Sequence, residues 1–218
     1  MIKESGFPPV ELENEKKYII GDVSFFQQEI TKENYNQNGF SSYEEAKNWE
    51  RRSCGAVCLR MVIDFFYPDL KVTTKELINK GLAREAYREK IGWIHHKLVE
   101  IGEEYGLKGG KESIGENIEK IKDHLINKEI VLASVSHGLE VGREYRRIDG
   151  SIKTVRRGGH LVVVYGAMEK NTMVDKLYLH HTSPDSSYEW ANLEVDRSKF
   201  LKCFSEAGNI IFFSKKND

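Results

Sequence analysis

The chain has 218 residues, with 33 Lys plus Arg against 34 Asp plus Glu and a formal charge of -1, so nothing electrostatic recommends nucleic acid as its main partner. At 39% hydrophobic residues it can bury the core of one domain, while the absence of any run of about eighteen apolar residues excludes a membrane-spanning helix. The opening Met1-Ile2-Lys3-Glu4-Ser5-Gly6-Phe7-Pro8-Pro9 has no apolar export region, so a cytoplasmic location is expected, and an odd set of three cysteines in a reducing compartment directs attention to thiol chemistry.

Residues 1–16 read as a polar tail, and residues 17–26 (KYIIGDVSFF) as a strand or two. Residues 27–42, rich in Asn, Gln, Lys, Gly and Ser, read as a connector. Ser42 with Glu45 suggests a capped helix over residues 43–51. Residues 54–66 (CGAVCLRMVIDFF) carry only Arg60 and Asp64 as charges, which predicts a helix buried on most sides that stops before Pro68. Single apolar stripes predict two further helices, one through Ile94, Leu98, Ile101 and Tyr105, the other through Ile114, Ile118, Ile121 and Leu125. After Asn127 the period shortens: residues 130–135 (IVLASV), 161–165 (LVVVY), 177–179 and 210–213 predict short strands. Helices first and strands afterwards argue for an α+β domain on an antiparallel sheet, with the domain proper over residues 43–218.

Cys54 stands where a charged approach, Asn48-Trp49-Glu50-Arg51-Arg52-Ser53, meets the buried helix. The first turn of a helix offers unpaired N–H groups and the positive end of the dipole, which favour thiolate over thiol; a small packed residue is the plainer alternative. Cys58 and Cys203 read as core. A nucleophilic thiol needs a base held by rigid backbone, and His160, after Gly158-Gly159 and at the head of the most apolar strand, meets that need; the alternative is a histidine satisfied at a sheet edge. The strand from Leu177 through His180, His181 and Thr182 to Asp185 offers groups to orient the imidazole.

Ser53-Cys54-Gly55-Ala56-Val57-Cys58-Leu59-Arg60-Met61, then Gly92-Trp93-Ile94-His95, then Gly159-His160-Leu161-Val162-Val163-Val164-Tyr165-Gly166 together resemble the bacteriocin-leader-processing peptidases of cysteine peptidase family thirty-nine and their stand-alone relatives, over residues 43–215. The resemblance implies a papain-like fold, Cys54 as nucleophile, His160 as general base and acid, and a side-chain amide six residues before the cysteine in the oxyanion hole, with the Cys54 N–H. Asn48 stands there in place of the usual Gln, a shorter donor that needs closer backbone. The family's third residue is Asp or Asn before Pro; here the place reads His181-Thr182, so His181, accepting through a ring nitrogen, or Asp185, folding back, is the expected orienter.

A local basic excess over residues 142–158 would favour substrate acidic near the scissile bond if it borders the cleft. His95-His96 and His180-His181 lack metal-ligand spacing, so no metal and no cofactor are expected. Cys54 and Arg60 satisfy a Cys-x5-Arg phosphate-loop spacing, but the intervening Gly-Ala-Val-Cys-Leu lacks a phosphate cradle's glycines and polar groups. The expectation is a thiol hydrolase of peptides, with a thiol acyltransferase or a peptidase-like peptide-binding domain as alternatives, and an oligomeric state the sequence leaves open.

Overall fold

The structure, a computed structural model, describes residues 14–146, 150–183 and 190–216. In chain order it contains β1 (Glu15–Ile19), α1 (Tyr43–Glu50), α2 (Cys54–Phe66), α3 (Thr74–Ala83), β2 (Tyr87–Arg88), β3 (Gly92–Trp93), α4 (His95–Glu104), β4 (Leu107–Ser113), α5 (Glu119–Ile126), β5 (Ile130–Val135), a short 3-10 turn (His137–Leu139), β6 (Glu144–Arg146), β7 (Ile152–Thr154), β8 (His160–Lys170), β9 (Met173–His181), β10 (Leu193–Asp196), α6 (Arg197–Cys203) and β11 (Asn209–Lys215). A seven-stranded antiparallel sheet runs β10-β9-β8-β5-β11-β4, with β1 as the seventh strand paired to β8 off this path. β5 pairs along the first half of β8, and β1 takes over along the second half, from Ile19 opposite Gly166 to Glu15 opposite Lys170. This is the α+β architecture expected from the sequence.

The two-residue period of the strands divides the core. Leu161, Val163 and Tyr165 of β8, with Ile211 and Phe213 of β11, face α2, α3 and α4. Val162 and Val164, with Val131, Ala133 and Ile210, face α5 and α6. α2 is apolar nearly all round because it is enclosed nearly all round: Val57, Leu59, Met61, Val62 and Ile63 are at most 1% exposed. It ends at Tyr67, whose N–H still reaches the Ile63 carbonyl, before Pro68 halts the ladder. α1 starts as expected, with Ser42 Oγ accepting the Glu45 N–H at 3.1 Å; the Glu45 carboxylate then closes on Ser41 rather than on Ser42.

Three expectations shift. Ile114 lies outside α5, because its N–H donates to the Gly208 carbonyl and ties it to the β11 approach, so the helix starts at Glu119. The strand through residues 161–165 extends to Lys170, since β1 supplies a second partner where β5 ends. Residues 20–42 carry Val23, Ile30 and Phe40 into the helical-side core, and Gln28 N–H donates to the Thr182 carbonyl at 3.0 Å. Among the described residues no helix is long and apolar enough to cross a membrane.

Candidate active site

Cys54 opens α2, and the N-cap Ser53 makes no side-chain capping bond. The early amides of the helix therefore stay available to a ligand at its tip. Gly55 is required by crowding: a Cβ there would lie 2.5 Å from Trp93 Cγ. Trp93 is held by its Nε1–H, which donates to the Arg52 carbonyl at 2.7 Å. Tyr87 packs between Trp93 and Trp49, with ring centroids 5.4 and 5.2 Å away, and the Arg52 guanidinium covers Trp49 at 4.8 Å. An aromatic wall thus stands beside the half-buried thiol.

Burial pushes the Cys54 thiol up, against the downward pull of the Leu161, Gly55 and Cys54 backbone amides. The amides at the helix start pull in the direction expected of a helix terminus, and burial opposes them with a net rise. Cys58, one turn deeper, donates its S–H to the Leu161 carbonyl at 3.3 Å, and burial with the neighbouring Cys54 raises it well above the ordinary thiol range. Cys58 and Cys203 are buried, and all three cysteines are free.

His160 is carried to the same place by a left-handed pair, Gly158 at φ 74° and Gly159 at φ 89°, a conformation that disfavours side chains. Gly158 N–H donates to the Cys203 carbonyl and Gly159 N–H to Ser134 Oγ at 3.2 Å. His160 shares the strand phase of Val162 and Val164, whereas Leu161, whose backbone meets Cys54, faces α2. The Leu161 backbone thus ties the Cys54 turn to the head of β8, and no hydrogen bond joins Cys54 to His160. Burial first, then positive charge on His181 and His137, would penalise an imidazolium, so His160 lies well below the ordinary histidine range and rests neutral.

His180 and His181, adjacent on β9, point to opposite faces. His180 is structural: Nε2–H donates to the Val23 carbonyl at 2.8 Å and Nδ1 accepts from Asn192 N–H at 3.1 Å. His181 is sandwiched between His160 and Trp190, each centroid 4.4 Å away and nearly parallel. Its Nδ1 lone pair is committed to the Ser183 N–H at 3.2 Å, so the neutral ring has only an Nε2–H left to give, and Nε2 is buried without a hydrogen bond. Burial and His137 lower His181 to about 3. The ring stacks on His160 with its Nδ1 already accepting from Ser183, and no hydrogen bond joins the two imidazoles.

The group at His160 Nε2 is instead Thr182 Oγ1, at 3.4 Å. Thr182 Oγ1 donates to Gln28 Oε1 at 2.7 Å, and Gln28 Nε2 donates to the Glu50 carbonyl at 2.8 Å. His137 lies edge-on to His160, with centroids 5.3 Å apart, and its Nε2 meets Ser183 Oγ at 3.4 Å. Thr182 falls in the stretch read as offering an orienting group, whereas Gln28, Trp190 and His137 carry no such signal in the sequence.

Asp185 lies outside the described residues. Asn48 is exposed near the end of α1, with its carbonyl accepting from Arg52 Nε at 2.7 Å; its side chain makes no hydrogen bond to the Cys54 turn. In the basic stretch, Arg143 pairs with Glu140 and Arg157 with Glu116 and the Phe204 carbonyl; Lys153 and Arg156 are exposed, and the Arg146 side chain and Arg147 lie outside the described residues. No group of three or more His, Cys, Asp or Glu among the described residues has the geometry to hold a metal ion.

A helix bearing a cysteine at its tip, packed on an antiparallel sheet whose strand head carries a histidine, defines the papain-like class. The family model described as the Peptidase_C39 like family matches residues 20–211, and the chain belongs to that family. A structure from Bacillus anthracis described as a C39-like peptidase superposes with a TM-score of 0.58 at 17% identity, covering 93% of this chain and 100% of that one. A double glycine motif protease from an AMS/PCAT transporter in complex with the leader peptide gives 0.44 at 16% identity over 76% and 86% of the two chains. The peptidase domain of Streptococcus ComA, a bifunctional ABC transporter involved in quorum sensing, gives 0.48 at 16% over 75% and 92%. No curated protein matches the chain in sequence.

Proposed function

We propose that the protein is a thiol peptidase that attacks peptide bonds through Cys54 with His160 as base. The supporting observation is the meeting of an uncapped helix tip, carrying a half-buried thiol, with the backbone of Leu161, the residue after His160. Since both groups rest neutral, the proton moves during attack: Sγ bonds to the scissile carbonyl carbon as an imidazole nitrogen takes the thiol proton. The carbonyl electrons shift to oxygen, where the Cys54 N–H and, in this reading, the Asn48 amide donate. Collapse expels the amine, which takes the proton from the imidazolium; water, deprotonated by the same ring, then cleaves the thioester. Family membership supports a peptide substrate, Lys153 and Arg156 suit an acidic segment, and a reducing compartment such as the cytoplasm suits three free thiols.

The test is mass-spectrometric detection of cleavage in a pool of unstructured peptides by the parent, Cys54→Ala and His160→Ala. Each variant is expected to lose about 10⁴-fold or more in rate. The base acts when neutral and its pKa is lowered, so kcat/KM of the parent should hold level as pH falls through 6.5. Cleavage unchanged in Cys54→Ala would overturn the proposal, and peptide capture without cleavage by the parent would replace it with a binding role.

A further inference from the structure

We propose that Thr182 and Gln28 are positioning residues that fix which nitrogen of His160 carries its proton. The proposal rests on the peptidase reading only for the use to which His160 is put. It starts from a group whose polarity is not negotiable: the Glu50 carbonyl can only accept. The Gln28 amide end facing it must therefore be the NH2, which donates at 2.8 Å. That turns Gln28 Oε1, an acceptor, toward Thr182. A threonine hydroxyl has one proton, and at 2.7 Å it is spent on Gln28. Thr182 Oγ1 then presents only lone pairs to His160 Nε2, so Nε2 must bear the hydrogen and Nδ1 must be bare, the state a base requires.

Competitors are few. Gln28 is 1% exposed, Thr182 0% and His160 4%, so bulk water does not reorganise the chain of bonds. Cys58, close to Thr182, is kept neutral by burial and spends its own proton on the Leu161 carbonyl. His181, the nearest other ring, stacks on His160 and offers it no acceptor. At 3.4 Å the Thr182 contact is long for an N–H···O bond, as catalytic contacts often are before substrate tightens them. A neutral hydroxyl here does the tautomer-setting work of a carboxylate without placing a negative charge beside the imidazole.

The experiment is long-range ¹H–¹⁵N NMR of the full chain with ¹⁵N-labelled histidine, with His160 assigned by its loss in His160→Ala. Nε2–H is expected in the parent; Nδ1–H there overturns the proposal whatever any variant does. Thr182→Val, of equal shape, and Gln28→Leu, which frees the Thr182 proton, should both raise the Nδ1–H population. Thr182→Ser should restore the parent spectrum. In peptide cleavage, Thr182→Val should lose about 10²-fold in kcat with little change in KM, and Thr182→Ser should recover most of it. An unchanged tautomer in folded Thr182→Val also overturns the proposal. The spectrum does not depend on turnover, so failure of the peptidase reading, seen as cleavage indifferent to Cys54, stays distinguishable from failure of this one.

Discussion

The two ends of the site are built by different physics. At the Cys54 end, position is set by shape: Trp93 lies where a Gly55 side chain would be, the aromatic wall has few polar demands, and the thiol remains half-buried. At the His160 end, position is set by the direction of hydrogen bonds, among Thr182, Gln28, Ser134 and a stack of buried rings. The first end should therefore tolerate polarity changes better than volume changes, and the second the reverse. A nucleophile has to meet substrate, so its surroundings are a surface. The base has only to hold the right proton, and a sealed network does that better.

The largest contrast between the ends should appear in acid. His181 is held neutral in the folded protein, at about 3 against an ordinary 6.5, and His160 is also lowered. As pH falls below 6.5 the unfolded chain takes up protons that the folded one refuses, so stability declines progressively toward pH 3, by a few kcal/mol from His181 alone. Urea midpoints at pH 7.5 and pH 5 check this. His181→Phe keeps a stacked ring without the titration and should lessen the decline; equal acid loss in parent and variant would remove His181 as the cause.

Next comes the shape-dominated end. Gly55→Ala should cost about 1–3 kcal/mol by displacing Trp93, seen as a lower thermal midpoint and altered tryptophan fluorescence. A variant as stable as the parent would show that the wall yields. The smallest effect is expected from Ser134→Ala, which removes the acceptor for the Gly159 N–H. Gly159 is exposed, so water can replace the lost bond and the stability change should stay under about 1 kcal/mol; peptide cleavage should fall more than stability if the turn aims His160.

Legibility in the sequence follows the same division. α2 and strands β5, β8 and β11 were readable because burial on every side, or on alternate sides, writes itself as an apolar pattern. β4, Leu107–Ser113, was not, since an edge strand with a half-exposed burial pattern needs no apolar run. α6 and β10 are too short to show a period. Cys54 and His160 were singled out by local context, a helix start and a Gly-Gly turn. Thr182 stood in the stretch read as carrying an orienter without being chosen from it, because its hydroxyl is directed by Gln28, far away in the chain. Polarity set by a distant partner leaves no local trace.

Gln28 and Thr182 are 154 positions apart, while α2 forms from contacts within thirteen residues. During synthesis the residues of the helix that carries the thiol emerge long before those of β9, and Gln28 has no Thr182 to meet until that strand returns. Contacts of such separation close late, because the chain entropy they cost is recovered only once most of the sheet is paired. Under the relay proposed above, a nascent or partly folded chain holds a cysteine and a histidine but has not yet placed the proton between them, so completed topology and chemical competence arrive together.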